Sequence, residues 1–157
     1  MLGGAFDELV ERHIGSLSTY ARAVCGDRWA AEDAVQETLL RAWRYRDTFA
    51  GRGSLEGWLL RICHNCIVDA ANRRGRPAPF DDRDAPVEHP DHSTEVLALV
   101  EALPASQREV VALCGLLGYD YESAAAILEV PVGTVRSRLS RARASMSDAI
   151  AATDEIA

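Results

Sequence analysis

The chain has 157 residues, of which 48% are hydrophobic, and its formal net charge is -7 at pH 7. This composition is typical of one or two small globular domains and excludes a chain that is disordered throughout. No apolar run reaches the ~18 residues of a membrane span, and the N-terminal residues lack the basic start of a signal peptide, so we expect a cytoplasmic protein with no membrane insertion.

The first 76 residues predict a small helical domain. Apolar residues recur at spacings of three and four in FDELVERHIGSLSTYARAVCG, which forms one helix or two and ends at Gly26, a favourable C-cap. WAAEDAVQETLLRAWRYR predicts the next helix. A glycine-rich loop then leads to Ser54, a plausible N-cap for a helix that runs through GWLLRICHNCIVDAANRR.

Residues 77–95 differ in composition from both flanks. They hold most of the prolines and six acidic residues against one arginine, and they have little apolar content. Such a segment cannot bury enough apolar surface to offset the entropy of ordering it. We therefore expect a flexible acidic linker here, between an N-terminal domain of residues 1–76 and a C-terminal domain of residues 96–157.

The C-terminal part predicts a helix-turn-helix arrangement. One helix includes QREVVALCGLL, a second is YESAAAIL, and a short break at 129–131 precedes a third helix in VGTVRSRLSRARASM. In a helix-turn-helix, the second helix of the pair can enter the major groove of DNA. No convincing strand pattern occurs on either side of the linker, so the predicted fold is all-α, with two small helical domains.

The last predicted helix combines an apolar stripe with a basic outer face. At about 100° per residue, an inward stripe contains Val135, Leu139, Ala142 and Met146. Arginines flank this stripe on both edges, with serines between them: Arg136, Arg138, Arg141, Arg143, Ser137 and Ser140. Long cationic arms beside short polar side chains suit contact with both walls of a DNA groove. A solvated amphipathic helix is the alternative interpretation.

The acidic net charge disfavours tight binding to DNA by the chain alone, so we expect a second partner that supplies most of the DNA affinity. Two stripes in the N-terminal part are candidates for contact with partners. Leu40 lies within a polar face that includes Asp33, Gln36 and Glu37, as on a docking surface for a partner helix, although a lone exposed leucine is ordinary.

The other stripe lies on the helix that begins after Ser54 and contains Trp58, Arg61, Asn65 and Asn72. Aromatic, guanidinium and amide groups in one line can stack on unpaired bases and hydrogen-bond to their edges. The alternative is that Trp58 packs against a neighbouring helix, as tryptophan usually does.

Five sequence blocks together resemble the extracytoplasmic-function sigma factors of bacterial RNA polymerase, in the sigma-70 family. FDELVERH, AAEDAVQETLLRAWR, GRGSLEGWLLRICHN with IVDAANRR, LPASQREVV and VGTVRSRLSRAR occur in the family's order. The resemblance implies a sigma factor that binds core RNA polymerase, recognises a promoter and assists its melting, without being an enzyme and without a cofactor.

The resemblance also implies roles for individual residues. Docking on the clamp helices of the largest polymerase subunit is expected from Asp33, Gln36, Glu37, Leu40 and Trp43. Capture of the -10 element is expected from Arg52, Ser54, Trp58, Arg61, Asn65, Arg73 and Arg74. Recognition of the -35 element is expected from Thr134, Arg136, Ser137, Arg138, Arg141 and Arg143. Further expected partners are promoter DNA, the flap of the second polymerase subunit and an anti-sigma factor.

The chain departs from the family pattern in two places. Glu129 stands where the family's turn often has glycine, and CHNC at 63–66 replaces the commoner small or aliphatic residues. Cys63 and Cys66 fall on the core side of their helix, so we interpret them as buried thiols. Zinc binding completed by His89 or His92 is the alternative.

Two other classes of protein compete with the sigma-factor interpretation. A stand-alone helix-turn-helix regulator would bind duplex DNA tightly without polymerase. An enzyme finds little support, because the sequence has neither a G-x-x-x-x-G-K-[ST] loop nor a G-x-S-x-G elbow.

Overall fold

The computed structural model describes residues 4–51, 53–75 and 95–156. All regular structure within these ranges is helical, which confirms the predicted all-α fold. The first four α-helices are α1 (Gly4–Glu11), α2 (Ile14–Cys25), α3 (Arg28–Arg44) and α4 (Leu55–Arg73). The other four are α5 (Glu95–Glu101), α6 (Ala105–Val110), α7 (Tyr121–Leu128) and α8 (Val132–Ile156).

The ends of the N-terminal helices follow from local capping chemistry. The segment that predicted one helix or two forms two, α1 and α2. Gly26 has a left-handed backbone (φ 67°) and donates its N–H to the carbonyl of Arg22, so it ends α2 as predicted. Asp27 caps α3 through its side chain. Ser54 caps α4 as predicted, because its Oγ accepts a hydrogen bond of 2.9 Å from the N–H of Gly57.

The C-terminal helices form the predicted helix-turn-helix. The α6 helix continues directly into a π-helix over Val111–Leu116, so QREVVALCGLL forms one continuous but partly widened helical segment up to Leu116. Asp120 caps α7 by accepting a hydrogen bond from Ser123 N at 2.6 Å. Glu129 then takes a left-handed backbone (φ 57°, ψ 44°), and α8 begins three residues later.

One hydrophobic core extends through both halves of the described chain. From the N-terminal half it includes Leu17, Tyr20, Val24, Leu59 and Leu60, and from the C-terminal half Leu113, Ile127, Leu128 and Val135. The contact is made mainly by α2 against α6 and by α4 against α7. Fully burying one large apolar side chain stabilises the folded state by about 1.5–3 kcal/mol. The contact between the halves therefore contributes substantially to the stability of the folded chain.

Two further predictions concern the chain between and around these helices. Residues 77–94 of the predicted linker lie outside the described residues, and Glu95, the last residue assigned to that linker, is the first residue of α5. Across residues 4–51, 53–75 and 95–156, no helix is both long enough and apolar enough to cross a membrane.

Candidate functional site

The residues predicted to dock on polymerase share one outward face of α3. Leu40 and Trp43 are 61% and 43% exposed, and Asp33 and Gln36 are also exposed. Glu37 is half-buried and pairs with Arg41 at 3.1 Å. The guanidinium of Arg46 lies 4.0 Å from the centroid of the Trp43 ring, which holds this aromatic side chain at the end of the face.

Small side chains on the opposite side of α3 allow the helix to pack closely on α2 and α4. Ala31 and Ala42 are buried as the sequence predicted, whereas Val35 and Leu39 are only half-buried. The innermost polar residue is Thr38, which is fully buried. Its Oγ1 donates a hydrogen bond of 2.6 Å to the carbonyl of Ala34, which offsets the cost of burying the hydroxyl. This packing fixes the rotation of α3 and so directs the candidate docking face outward.

Most residues predicted to capture the -10 element lie along α4 or at its C-terminal end. Ser54, Arg61, Asn65, Arg73 and Arg74 are exposed. Arg52 lies outside the described residues. The half-buried Trp58 has its ring centroid 5.4 Å from that of Phe49, so it packs partly against the preceding loop, whereas the alternative from the sequence was packing against a neighbouring helix.

The helix-turn-helix contacts this same stripe of α4. Arg61 donates from Nη2 to the carbonyl of Ala126 at 3.1 Å, and the same nitrogen lies 3.1 Å from Oε1 of Glu129. A pocket of about 240 Å³ remains between α4 and α7, with Trp58 and Arg61 on one wall and Tyr119 and Ile127 on the other. In this arrangement α7 therefore covers part of the stripe that was predicted to meet unpaired bases.

The residues predicted to read the -35 element divide into an exposed group and one buried member. Arg136, Ser137, Arg141 and Arg143 are exposed on α8, while Thr134 is half-buried. Arg143 donates from Nη2 to the hydroxyl of Tyr121 at 3.3 Å. The apolar stripe of α8 is confirmed, because Val135, Leu139 and Ala142 are buried and Met146 packs against the core.

Arg138 departs from its predicted position at the open edge of α8. It is only 8% exposed, and its Nη1 lies 3.1 Å from Oε1 of Glu109 on α6. The helical-wheel placement was correct in angle, but α6 covers that edge of α8. Its guanidinium is therefore directed to a buried carboxylate in this arrangement, and the outward arm that the sequence predicted is not formed.

Glu109 is the centre of a buried polar cluster that joins the two halves. Besides Arg138, its carboxylate contacts His64 on α4, with Oε2 at 3.1 Å from Nδ1, and it accepts a hydrogen bond of 3.5 Å from the hydroxyl of Tyr20 on α2. Burial raises the pKa of Glu109 and outweighs the opposing effects of His64 and Arg138. Burial likewise raises the pKa of Tyr20.

Two more polar contacts connect the halves on either side of this cluster. Arg108, which is 2% exposed, donates from Nη2 to the carbonyl of Val24 at 2.7 Å. Tyr119 donates to the carboxylate of Glu56, which also accepts hydrogen bonds from Ser16 and His13. Burial alone would raise the pKa of Glu56, but these three hydrogen bonds outweigh it and hold the pKa below its ordinary value.

The cysteine-histidine motif of α4 is part of the packing. Cys63 and Cys66 are buried as predicted, and burial raises the pKa of Cys63 to about 12. His64 is directed toward Glu109, away from these thiols. No group of three or more metal-ligating side chains occurs among the residues that the structure describes. His89 and His92, which the zinc alternative required, lie outside them.

Two family models match the chain and define its class. The model for sigma-70 region 2 matches residues 9–77, and the model for sigma-70 region 4 matches residues 93–146. The ECF RNA polymerase sigma factor SigE of Mycolicibacterium smegmatis is 36% identical over 160 residues, covering 94% of this chain and 62% of SigE. The chain thus spans less than two thirds of the length of that relative.

Further comparisons agree with this class. The ECF RNA polymerase sigma factor EcfG of Rhodopseudomonas palustris is 35% identical, covering 85% of this chain and 78% of EcfG. The chain therefore belongs to the extracytoplasmic-function sigma factors of the sigma-70 family.

Two solved structures resemble the whole described arrangement. One is the sigma factor RpoE in complex with the anti-sigma factor NepR from Bartonella quintana, with a TM-score of 0.76 and 29% identity over 92% of this chain and 95% of that one. The other is CnrH in complex with the cytosolic domain of CnrY, with a TM-score of 0.70 and 32% identity over 94% of this chain and 88% of CnrH.

Proposed function

We propose that this chain directs core RNA polymerase to specific promoters and assists their melting at the start of transcription. The observation that carries the proposal is the presence of two separate surfaces, an exposed apolar and acidic face on α3 and an exposed basic face on α8, in a chain with sigma-70 regions 2 and 4. Neither surface requires catalytic chemistry or a cofactor. The proposed site of action is the cytoplasm.

The α3 face supports a role in docking on the clamp helices of the largest polymerase subunit. A single exposed leucine is ordinary, but Leu40, which is 61% exposed, lies between Gln36 and the exposed Trp43 on successive turns, so the two apolar side chains form one exposed face. Asp33 and Glu37 add negative charge along the same face. This combination favours a partner helix with apolar and basic side chains.

Promoter recognition requires a change in how the halves meet. Trp58 and Arg61 are partly covered by α7, and Arg138 is directed to Glu109, so these three residues cannot all contact DNA in the described arrangement. We propose that binding to core polymerase separates the halves and places region 2 at the -10 element and region 4, with the flap of the second subunit, at the -35 element. Free protein would then bind promoter DNA weakly.

Control by an anti-sigma factor is the second part of the proposal. One similar solved structure is a complex with the anti-sigma factor NepR, and the other is a complex with the cytosolic domain of CnrY. Each match covers more than nine tenths of this chain. The described arrangement of the halves therefore resembles that of two chains that were solved with a partner bound. An anti-sigma factor that prefers this arrangement would keep α4 covered by α7.

A run-off transcription assay with core polymerase and a genomic promoter library tests this function. The wild-type chain should give discrete transcripts, and Asp33→Arg should lose them together with affinity for core polymerase. Glu8→Arg, which makes the same charge change at an exposed position on α1, should retain both. Absence of any transcript with the wild-type chain, together with tight binding of the chain alone to duplex DNA, would support the stand-alone regulator instead.

A further inference from the structure

The large hydrophobic side chains exposed on this protein are concentrated on α3. Among the described residues, eight such side chains are exposed, and four of them belong to α3 and the residue that caps it: Trp29, Leu40, Trp43 and Tyr45. Trp29 has the highest exposed fraction of the eight, 72%. It was not among the residues expected to dock on polymerase.

Trp29 lies in line with the predicted docking residues. At about 100° per residue, Trp29 and the positions 33, 36, 40 and 43 fall within about 80° of the helix circumference. Each turn of α3 therefore contributes one member to the stripe, without a gap. At about 1.5 Å per residue, the stripe from Trp29 to Trp43 is roughly 21 Å long, which extends the face by more than a turn beyond Asp33.

A groove borders this stripe along α2. It has a volume of about 500 Å³, and it is lined by Ser18 and Arg22 from α2 and by Arg28, Ala31, Glu32, Val35 and Gln36 from α3. Gln36 belongs both to the groove and to the docking face. A partner side chain that reaches past the stripe therefore meets a recess with both polar and apolar lining residues.

The Trp29 side chain makes little contribution to the start of α3. The cap is Asp27, whose carboxylate accepts a hydrogen bond of 3.0 Å from the backbone N–H of Trp29, and this bond does not depend on the side chain at position 29. Arg28 and Glu32 form an ion pair on the same first turn. Replacement of the indole should therefore leave the fold intact, so that binding and stability can be measured separately.

We propose that Trp29 is an additional anchor for core polymerase, and that one helical segment of polymerase lies along the whole of α3 from Trp29 to Trp43. This proposal rests on the proposed function and adds a contact to it. Continuity with the docking face argues for polymerase as the occupant. A second copy of the chain is disfavoured, because a two-fold contact through this stripe would bring acidic residues such as Asp33 and Glu37 close to their own copies.

The test measures the affinity of the full chain for purified core polymerase by fluorescence anisotropy. Trp29→Ala should weaken binding about tenfold, as truncation of an aromatic anchor in an interface typically does. Trp29→Phe should recover part of that loss. Ile150→Ala removes a hydrophobic side chain that is 49% exposed on α8, and it should bind like wild type. Thermal melting should be unchanged in all three variants.

The outcomes separate this inference from the function on which it rests. If Trp29→Ala binds core polymerase like wild type while Asp33→Arg does not, the extension is wrong and the docking face stands. If Asp33→Arg also binds like wild type, the docking face itself is wrong. Loss of self-association in sedimentation, or of anti-sigma binding, with unchanged affinity for polymerase would assign Trp29 to another partner and overturn the proposal.

Discussion

Replacement of Arg138 separates a structural role from a DNA-binding role on the same helix. Arg138→Ala removes one partner of Glu109, whose side chain is 1% exposed. Removing one member of a buried ion pair typically costs 3–5 kcal/mol, and because His64 and Tyr20 still contact Glu109 we expect about 3 kcal/mol. At roughly 2–4 °C per kcal/mol for a chain of this size, the melting temperature should fall by about 6–12 °C.

Circular dichroism melting of Arg138→Ala beside Arg141→Ala provides the assay. Arg141 is exposed on the same helix, so its replacement should change stability by no more than about 0.5 kcal/mol. Both variants can then be compared in transcription below their melting temperatures. If Arg138→Ala melted like wild type but lost use of the -35 element, the buried pairing would be refuted and the outward arm predicted from the sequence would be restored.

The remaining predictions address other parts of the molecule. Arg136→Ala should weaken use of the -35 element in run-off transcription without changing the melting temperature, and undiminished use would remove this residue from the recognition face. Glu129→Gly relieves a left-handed backbone that costs about 1–2 kcal/mol and loses an exposed ion pair worth less than about 1 kcal/mol. It should therefore melt no lower than wild type, yet bind a single-stranded -10 oligonucleotide more tightly because Arg61 keeps only its hydrogen bond to the carbonyl of Ala126; equal binding would show that the Glu129 contact does not restrain Arg61. Hydrogen bonds from Tyr119, Ser16 and His13 lower the pKa of Glu56 in the folded state, so its stabilising effect is complete above the ordinary pKa of 4.5 and is lost as the pH falls through the folded value. Glu56→Gln should accordingly be less stable than wild type at pH 6, with the difference in melting temperature closing at acidic pH; a constant difference would exclude this contribution.

Features set by neighbouring residues were predictable from the sequence. Gly26 and Ser54 act within one turn of their own helices, so their capping roles follow from residue type and position alone. The apolar stripe of α8 and the outward position of Leu40 follow from the 3.6-residue period. These predictions needed no knowledge of how the helices pack together.

Features that depend on contact between the halves were not predictable in this way. Charged residues such as Arg108 and Glu109 are ordinarily expected to be solvated. Here they are buried, and their partners Val24 and Tyr20 are 84 and 89 residues away in the chain. Arg138 was misplaced for the same reason. The covering of Arg61 by α7 likewise arises from packing between distant segments, which helical periodicity does not predict.

Glu129 lies between these two cases. The sequence singled it out because glycine is frequent at this position in the family. Its φ of 57° is in the region that glycine adopts at little cost, so the turn keeps the glycine-like backbone with a different residue. The contact of its carboxylate with Arg61 provides a compensating interaction that no local pattern could reveal.

The affinity of the chain for a promoter duplex, measured at one salt concentration with and without core polymerase, tests the central claim most directly. The account predicts weak binding by the chain alone, because α4 is partly covered and the net charge is negative, and tight promoter-specific binding once polymerase is added. Tight and specific binding by the chain alone, with no gain on addition of polymerase, would contradict it.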